Sequence, residues 1–264
     1  MTSFDRPALE HENWIAYLTG VAICSAGVEV QRFGGIVALR SDVPFDWLNQ
    51  VLIERDDARA ADLIAVAQTP LPDANGQIVR LREGIDDHFK PVLERAGWRA
   101  AGVETMTPGM TAFPIGHLAA HGADLPGFQI RRVTDAAGVE DHRSTVTEGF
   151  GVVRSVADES TGLGLLQTSA CSVYVGYADG FPVTSGLGWR SGRTIGVYAI
   201  STVPAARRRG YGEAMTARVV ADGISAGCDI AALQASVVAR PIYERLGFRV
   251  DVRYDAYVRA PAGE

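Results

Sequence analysis

The chain reads as an α/β (or α+β) protein built from two related units, and three observations predict this. Hydrophobic residues make up 47% of its 264 positions against 21% charged, with 29 glycines, a balance that supports a sizeable core and excludes a disordered or collagen-like chain. Short runs rich in Val, Ile and Tyr alternate with segments of helical periodicity, most clearly in the second half. Residues 90–99 match residues 240–249, 150 positions later, in the proline, the glutamate, both arginines and the glycine.

Taken in order, residues 128–133 read as a strand, and Thr134-Asp135 caps a helix running to about Glu148. Residues 172–177 and 182–189 form a hairpin around Asp179-Gly180, and 194–203 a further strand. The face Ala214, Ala217, Ala221 and Ile224 marks a helix over 212–226, ended by Gly227. A strand over 229–235, a short helix over 239–246 and a closing strand or hairpin over 248–258 complete the half. The 150-residue offset sets 28–39 under the hairpin, 51–53 under the strand that ends at Val203, and 55–68 under the long helix. Between Met106 and Gly127, the turn residues Pro108-Gly109, Pro114, Gly116, Gly122 and Pro126-Gly127 predict a linker, giving units over 1–120 and 121–264.

With 25 basic and 31 acidic residues, the net charge of −6 argues against a nucleic-acid binder, so an anionic ligand has to be held locally. Cys24, Cys171 and Cys228 are scattered, with no C-x-x-C pair, and fit a reducing, cytoplasmic setting. The uncharged run 13–28 follows Asp5, Glu10 and Glu12 with only Arg6 to balance them. That is the wrong sign for a signal peptide, and the run is too short to span a bilayer, so no membrane association is expected. His117 and His121 have the spacing of a metal pair but no evident third ligand, and read as linker residues with no metal.

Chemistry concentrates in residues 200–212, where a strand runs directly into the basic turn Arg207-Arg208-Arg209-Gly210-Tyr211-Gly212 at a helix start. The first amides of a helix lack intrahelical acceptors and carry the positive end of its dipole, so this turn suits a phosphate. Cations there oppose the dipole unless an anion sits on it. No G-x-x-x-x-G-K-[ST] is present, and read as G-x-G-x-x-G from Gly210 the third position is Met215.

The turn R-x-x-G-x-G, followed by Ser236-x-x-Ala239-x-x-x-Tyr243-x-x-x-Gly247-Phe248, resembles the GNAT superfamily of N-acetyltransferases. The likeness covers about 128–258; the first half resembles a decayed copy, which makes this a tandem arrangement. The resemblance implies two mixed, mostly antiparallel twisted sheets flanked by helices, with acetyl-CoA in a splayed strand pair of the second. It implies that the backbone of Thr202 and Val203 pairs with pantetheine and that residues from Arg207 to Gly212 hold the pyrophosphate. Tyr243 is then the acid for the departing thiolate, and Ser236 stands where the family usually carries asparagine. The base is open among Glu148 and the Asp158-Glu159 pair. In the first half Arg207, Gly210 and Gly212 fall on Asp57, Ala60 and Asp62, and Tyr243 on Leu93. Glu54, Asp56 and Asp57 are expected to satisfy that helix start themselves, leaving one site per chain. The implied acceptor is the primary amine of a small molecule, for a monomer or homodimer. A peptide or protein acceptor, or a CoA-binding sensor or scaffold without turnover, are the other readings.

Overall fold

The computed structural model describes residues 4–43, 45–69, 76–102, 107–121 and 125–259. The uncharged run near the start is largely a helix, α1 (Arg6–Ile23), opened by Asp5 accepting the Ala8 N–H at 3.1 Å and by Pro7 in the first turn. It is followed by β1 (Val28–Phe33), β2 (Ile36–Ser41), β3 (Gln50–Ile53), α2 (Ala60–Ala67), β4 (Ile78–Arg82), α3 (Lys90–Arg95), β5 (Trp98–Ala100) and β6 (Thr107–Ala112). The second half runs β7 (Phe128–Arg132), α4 (Ala136–Phe150), α5 (Arg154–Ser160), β8 (Cys171–Ala178), β9 (Phe181–Ser191), β10 (Thr194–Thr202), α6 (Tyr211–Ser225), β11 (Ile230–Gln234), α7 (Arg240–Arg245) and β12 (Arg249–Arg259).

The repeat is physical. In both halves a hairpin leads to a strand, a helix, a parallel strand, a short helix and a closing strand. The glycines after the two short helices, Gly97 and Gly247, share the left-handed conformation (φ +84° and +93°) that ends a helix without a Cβ penalty.

All twelve described strands form one sheet in the order β1-β2-β3-β4-β12-β6-β11-β10-β9-β8-β7, with β5 also paired to β12. The closing strands are exchanged: β12 pairs with β4 of the first half, β6 pairs with β11 of the second, and the two pair with each other. The predicted linker is therefore corrected, because Pro108 and Gly109 lie in a central strand. Pro108 needs no N–H there, since it enters the ladder through its carbonyl, which accepts from Ala235 N at 3.1 Å. A Cβ on Gly109 would overlap the Glu10 carboxyl, so the glycine lets α1 approach the strand closely. Farther along, Ile115 and Leu118 are buried; Met106 and Gly122 lie outside the described residues.

Alternation along the strands gives two apolar faces. On one, α1 buries Trp14, Tyr17 and Leu18 beside Val37 and Leu39 of the first half and Val173 and Leu187 of the second. On the other, α2 and α3 cover Ile36 and Val51, and α6 and α7 cover Ile195 and Val197. By lying across both halves, α1 places its polar residues between them.

Candidate active site

The parallel pairing of β10 with β11 runs only from Thr194↔Ile230 to Gly196↔Ala232. Beyond that, β10 stays with β9 while Leu233 and Gln234 stay with β6, and a gap opens between the two parallel strands. A bulge between Tyr198 and Ser201, with Ala199 at φ +51°, turns β10 further away. Ser201 is tied to α4 through Oγ to the Thr145 carbonyl (3.0 Å), and a Cβ on Gly149 would overlap the Ser201 side chain.

At the end of β10 the chain turns through Arg208 (φ +63°) and Gly210 (φ +84°) into α6, whose N-cap Gly210 gives no side-chain cap. The first helical bond there is Ala214 N to Gly210 O at 3.0 Å, so the amides of Tyr211, Gly212 and Glu213 have no intrahelical acceptor. Arg207, Arg208 and Arg209 are all exposed. The Arg207 side chain folds back, with Nε on the Thr202 carbonyl (3.1 Å) and Nη2 on the Gly149 carbonyl (2.8 Å), joining β10 to the end of α4. Arg208 and Arg209 have no such ties among the described residues. Tyr211 is buried with its ring stacked on Phe128 (4.5 Å), so it offers the turn only its backbone. Val203 N–H donates to the Val183 carbonyl of β9 at 3.0 Å, away from the gap, and by the alternation along a strand the N–H of Thr202 turns to the opposite edge.

Tyr243 lies on α7, 8% exposed, edge-on to Phe248, its hydroxyl against Thr216 one turn into α6. Burial pushes its pKa up to about 12, so the phenol keeps its proton at neutral pH. Ser236 Oγ accepts the Ala239 N–H at 3.2 Å and so shapes the turn into α7. Glu148 is exposed on the last turn of α4. Asp158 is paired with Arg154 (2.8 Å) and Arg143 (3.4 Å), and Glu159 holds Ser25 and the Gly27 N–H, so neither reaches the gap. His121 pairs with Glu213 (3.0 Å) and His117 with the Leu246 carbonyl (3.2 Å), facing different partners.

A buried polar chain that sequence reasoning missed adjoins the gap. His11 Nε2 lies 2.6 Å from the Ile53 carbonyl, which only accepts, so Nε2 carries the proton. Burial and Arg82 hold the His11 pKa down to about 4, leaving Nδ1 an acceptor for the Tyr254 hydroxyl at 2.9 Å. Tyr254 Oη and Glu10 Oε2 are 2.6 Å apart, and burial pushes the Glu10 pKa up to about 8. A neutral Glu10 therefore donates to Tyr254, and its Oε1 accepts from Gln234 Nε2. The Gln234 amide also faces the Tyr198 hydroxyl, which donates to Asn13 Oδ1 at 2.7 Å. Gln234 Oε1 is buried without a partner among the described residues, a state that costs about 1–3 kcal/mol. The readable signal was Glu10 on the same helical stripe as Trp14, Tyr17 and Val21.

The first half has the corresponding strand opening, with β3 and β4 paired only from Gln50↔Ile78 to Leu52↔Arg80. His11 takes the Ile53 carbonyl at the end of β3, and Arg82 binds Asp86 (2.9 Å) and Asp56 (2.9 Å) beside it. The acidic turn does not cap α2 as expected: its N-cap Arg59 has no side-chain cap bond. Glu54 pairs instead with Arg32 and Asp57 with Arg55, because nearby guanidiniums satisfy carboxylates better than amides do. Asp62 binds Arg59 at 2.8 Å, and Leu93 is fully buried.

Residues 146–248 match the acetyltransferase (GNAT) family. Solved structures share the fold over the whole chain. One is a GCN5-related N-acetyltransferase from Kribbella flavida, 16% identical, covering 99% of this chain and 98% of that one at a TM-score of 0.70. A GCN5-related N-acetyltransferase-like protein from Streptococcus suis, 16% identical, covers 96% and 100% at 0.59. A tandem GNAT protein from the clavulanic acid biosynthesis pathway, 9% identical, covers 99% and 98% at 0.62. No curated relative matches the sequence.

Proposed function

We propose, from the match of residues 146–248 to the acetyltransferase (GNAT) family and the fold shared with a tandem GNAT protein, that the chain is a GNAT acyltransferase and moves an acetyl group from acetyl-CoA to the primary amine of a small molecule by direct attack on the thioester. The observation that carries this reading is the meeting of two features: the gap between β10 and β11 opens beside an uncapped helix start with free amides, a left-handed glycine and exposed arginines. That donor set fits a pyrophosphate, with the amides of residues 208–213 and the side chains of Arg208 and Arg209 as its holders. Arg207 then acts indirectly, by fixing the end of β10 to α4.

Bound acetyl-CoA supplies an acyl carbon activated by a thiolate leaving group. Thr202 offers its backbone N–H to the pantetheine arm along the gap. Tyr243 gives its hydroxyl proton to the leaving sulfur as the new C–N bond forms and the C–S bond breaks, and the amine's proton passes to solvent or to Glu148. A small acceptor is favoured because α1 lies across the face of the sheet opposite α6 and narrows the approach. The first repeat, residues 1–120, serves as a structural partner that walls the acceptor side. The free Cys24, Cys171 and Cys228 support a reducing, cytoplasmic setting.

The burial of Tyr243 against Thr216 supports the other reading, a CoA-binding sensor without turnover. Calorimetric titration with acetyl-CoA, followed by thiol release over a panel of primary amines, decides between them. Binding with amine-dependent release supports the transferase; binding without release supports the sensor; no binding removes both.

A further inference from the structure

We infer that Gln234 Oε1 accepts a hydrogen bond from the attacking amine, and that Glu10 of the first repeat holds it in that orientation; this rests on the acyl-transfer reading above. Gln234 is the last residue of β11, beyond Ala232, where the pairing with β10 ends. Its side chain points to the α1 face while the neighbouring Leu233 packs on the α6 side. Tyr198 from β10 and Gln234 from β11 meet across the gap and wall it on that face. A molecule anchored at the start of α6 thus has the phosphate turn at one end and this wall at the other, where the thioester lies.

The orientation of the amide follows from counting protons. Glu10 Oε1 only accepts, since the carboxyl proton lies on Oε2 toward Tyr254, so the Gln234 nitrogen must face Glu10. The Tyr198 hydroxyl, whose own proton goes to Asn13, faces the same amide. The amide nitrogen is thereby held on Glu10, and the carbonyl oxygen is left as a buried acceptor without a partner among the described residues. The acyl end of a thioester has no N–H or O–H to offer, whereas a neutral amine has two N–H bonds and one lone pair. Accepting one N–H fixes the nitrogen and turns its lone pair toward the acyl carbon, an orientation effect on the reaction and not a proton transfer. Glu10 is a positioning residue in this scheme: neutral, with its proton committed to Tyr254, it is no base.

The test uses the full chain, acetyl-CoA and the best primary amine from the panel. Gln234→Met should raise the amine KM about tenfold or more and lower kcat, with the acetyl-CoA Kd within about twofold of wild type. Glu10→Leu, which keeps Gln234 but lets its amide turn, should show the same split and serves if the methionine variant melts early. Glu10→Gln should restore near-wild-type kinetics, because its amide accepts through Oε1 and donates through Nε2 in the pattern of the neutral acid. A wild-type chain that turns over while Gln234→Met changes nothing overturns this assignment alone. A rise confined to the acetyl-CoA Kd overturns it in favour of a pantetheine contact, and loss of all turnover in Glu10→Gln overturns it in favour of a catalytic base. A wild-type chain that neither binds acetyl-CoA nor releases thiol overturns the acyl-transfer reading, and this assignment falls with it.

Discussion

Glu10 and His11, neighbours on α1, serve opposite halves of the sheet: Glu10 meets Gln234 at the end of β11, His11 meets Ile53 at the end of β3, and Tyr254 Oη joins them at 2.6 and 2.9 Å. One chain of hydrogen bonds therefore runs from the open gap of the second half to the filled one of the first.

That chain predicts how stability varies with pH. Glu10, facing Tyr254, Gln234, Asp251 and Arg82, keeps its proton up to about pH 8 when folded, while the unfolded chain releases it near 4.5. Over that window the folded state holds the extra proton, so Glu10 makes stability fall as pH rises. His11, facing Arg82, Asp86 and Asp56, and the buried His142 are both held down to about 4 from an ordinary 6.5, so they make stability rise between those values. Both imidazoles contribute equally to wild type and to Glu10→Gln, so the difference between the two proteins isolates the Glu10 effect. Wild-type stability should drop by about 1–2 kcal/mol from pH 6.5 to 8 relative to Glu10→Gln. Thermal melts of the two proteins across that range check it, and parallel profiles would mean that Glu10 is already ionised in the folded chain.

The two glycines of the phosphate turn should separate conformation from space. Gly210 sits at φ +84° with Leu125 as its nearest neighbour at 3.7 Å, so Gly210→Val fits sterically but strains the backbone. Gly212 is not left-handed, and its Cβ would make ordinary contact with Thr202 Oγ1 at 3.5 Å. Gly212→Ala should therefore melt like wild type, and any loss of acetyl-CoA affinity reports crowding of the pyrophosphate. Calorimetry should find both variants weaker by about tenfold or more; an unchanged Kd for each would remove the turn from the binding site.

Tyr243→Phe keeps the ring against Phe248 and removes only the hydroxyl that faces Thr216. If that hydroxyl protonates the leaving thiolate, kcat should fall about 10²-fold while the acetyl-CoA Kd hardly moves. Single-turnover thiol release measures it. Equal rates would return Tyr243 to the packing of α7 on α6.

Local signals made much of the second half legible. Asp135 caps α4 through the Gly138 amide, Asp179-Gly180 turns the hairpin, and the 150-residue offset aligns α3 with α7. What stayed hidden depends on distant partners. Pro108-Gly109 reads as a turn because nothing nearby says that β11 and β12 will flank it, or that Glu10 needs the space over Gly109. Gln234 reads as an unremarkable strand end, since its importance comes from a residue 224 positions away. Arg207 reads as a phosphate ligand until the Gly149 and Thr202 carbonyls are seen beside its guanidinium.

The exchange of closing strands sets the last prediction, that the chain binds one acetyl-CoA and that its second half fails alone. In the first half, His11 covers the Ile53 carbonyl, the Arg82–Asp86 pair lies next to it, and Asp57 and Asp62 stand near the start of α2. A pyrophosphate brought there would meet carboxylates a few ångströms away, a repulsion of several kcal/mol in a partly desolvated cleft, about 4 kcal/mol per charge pair at 4 Å and an effective dielectric of 20. His11→Ala would uncover the carbonyl without removing those charges, so it should not create a second site. Deleting residues 1–115 would take away β6, the partner of β11 from Ala231 to Gln234, together with β4, which holds β12, and α1, which covers Tyr198. The remainder would carry an unpaired edge on the strand that borders the gap, with apolar surface bared on one face. It should be insoluble or inactive, and supplying the missing half in trans should restore activity if the exchange is what holds the gap open. Titration of the full chain, and thiol release by residues 116–264 with and without the first half, measure this. Two acetyl-CoA per chain, or full activity of the second half alone, would show that the first half is a second site or a dispensable appendage.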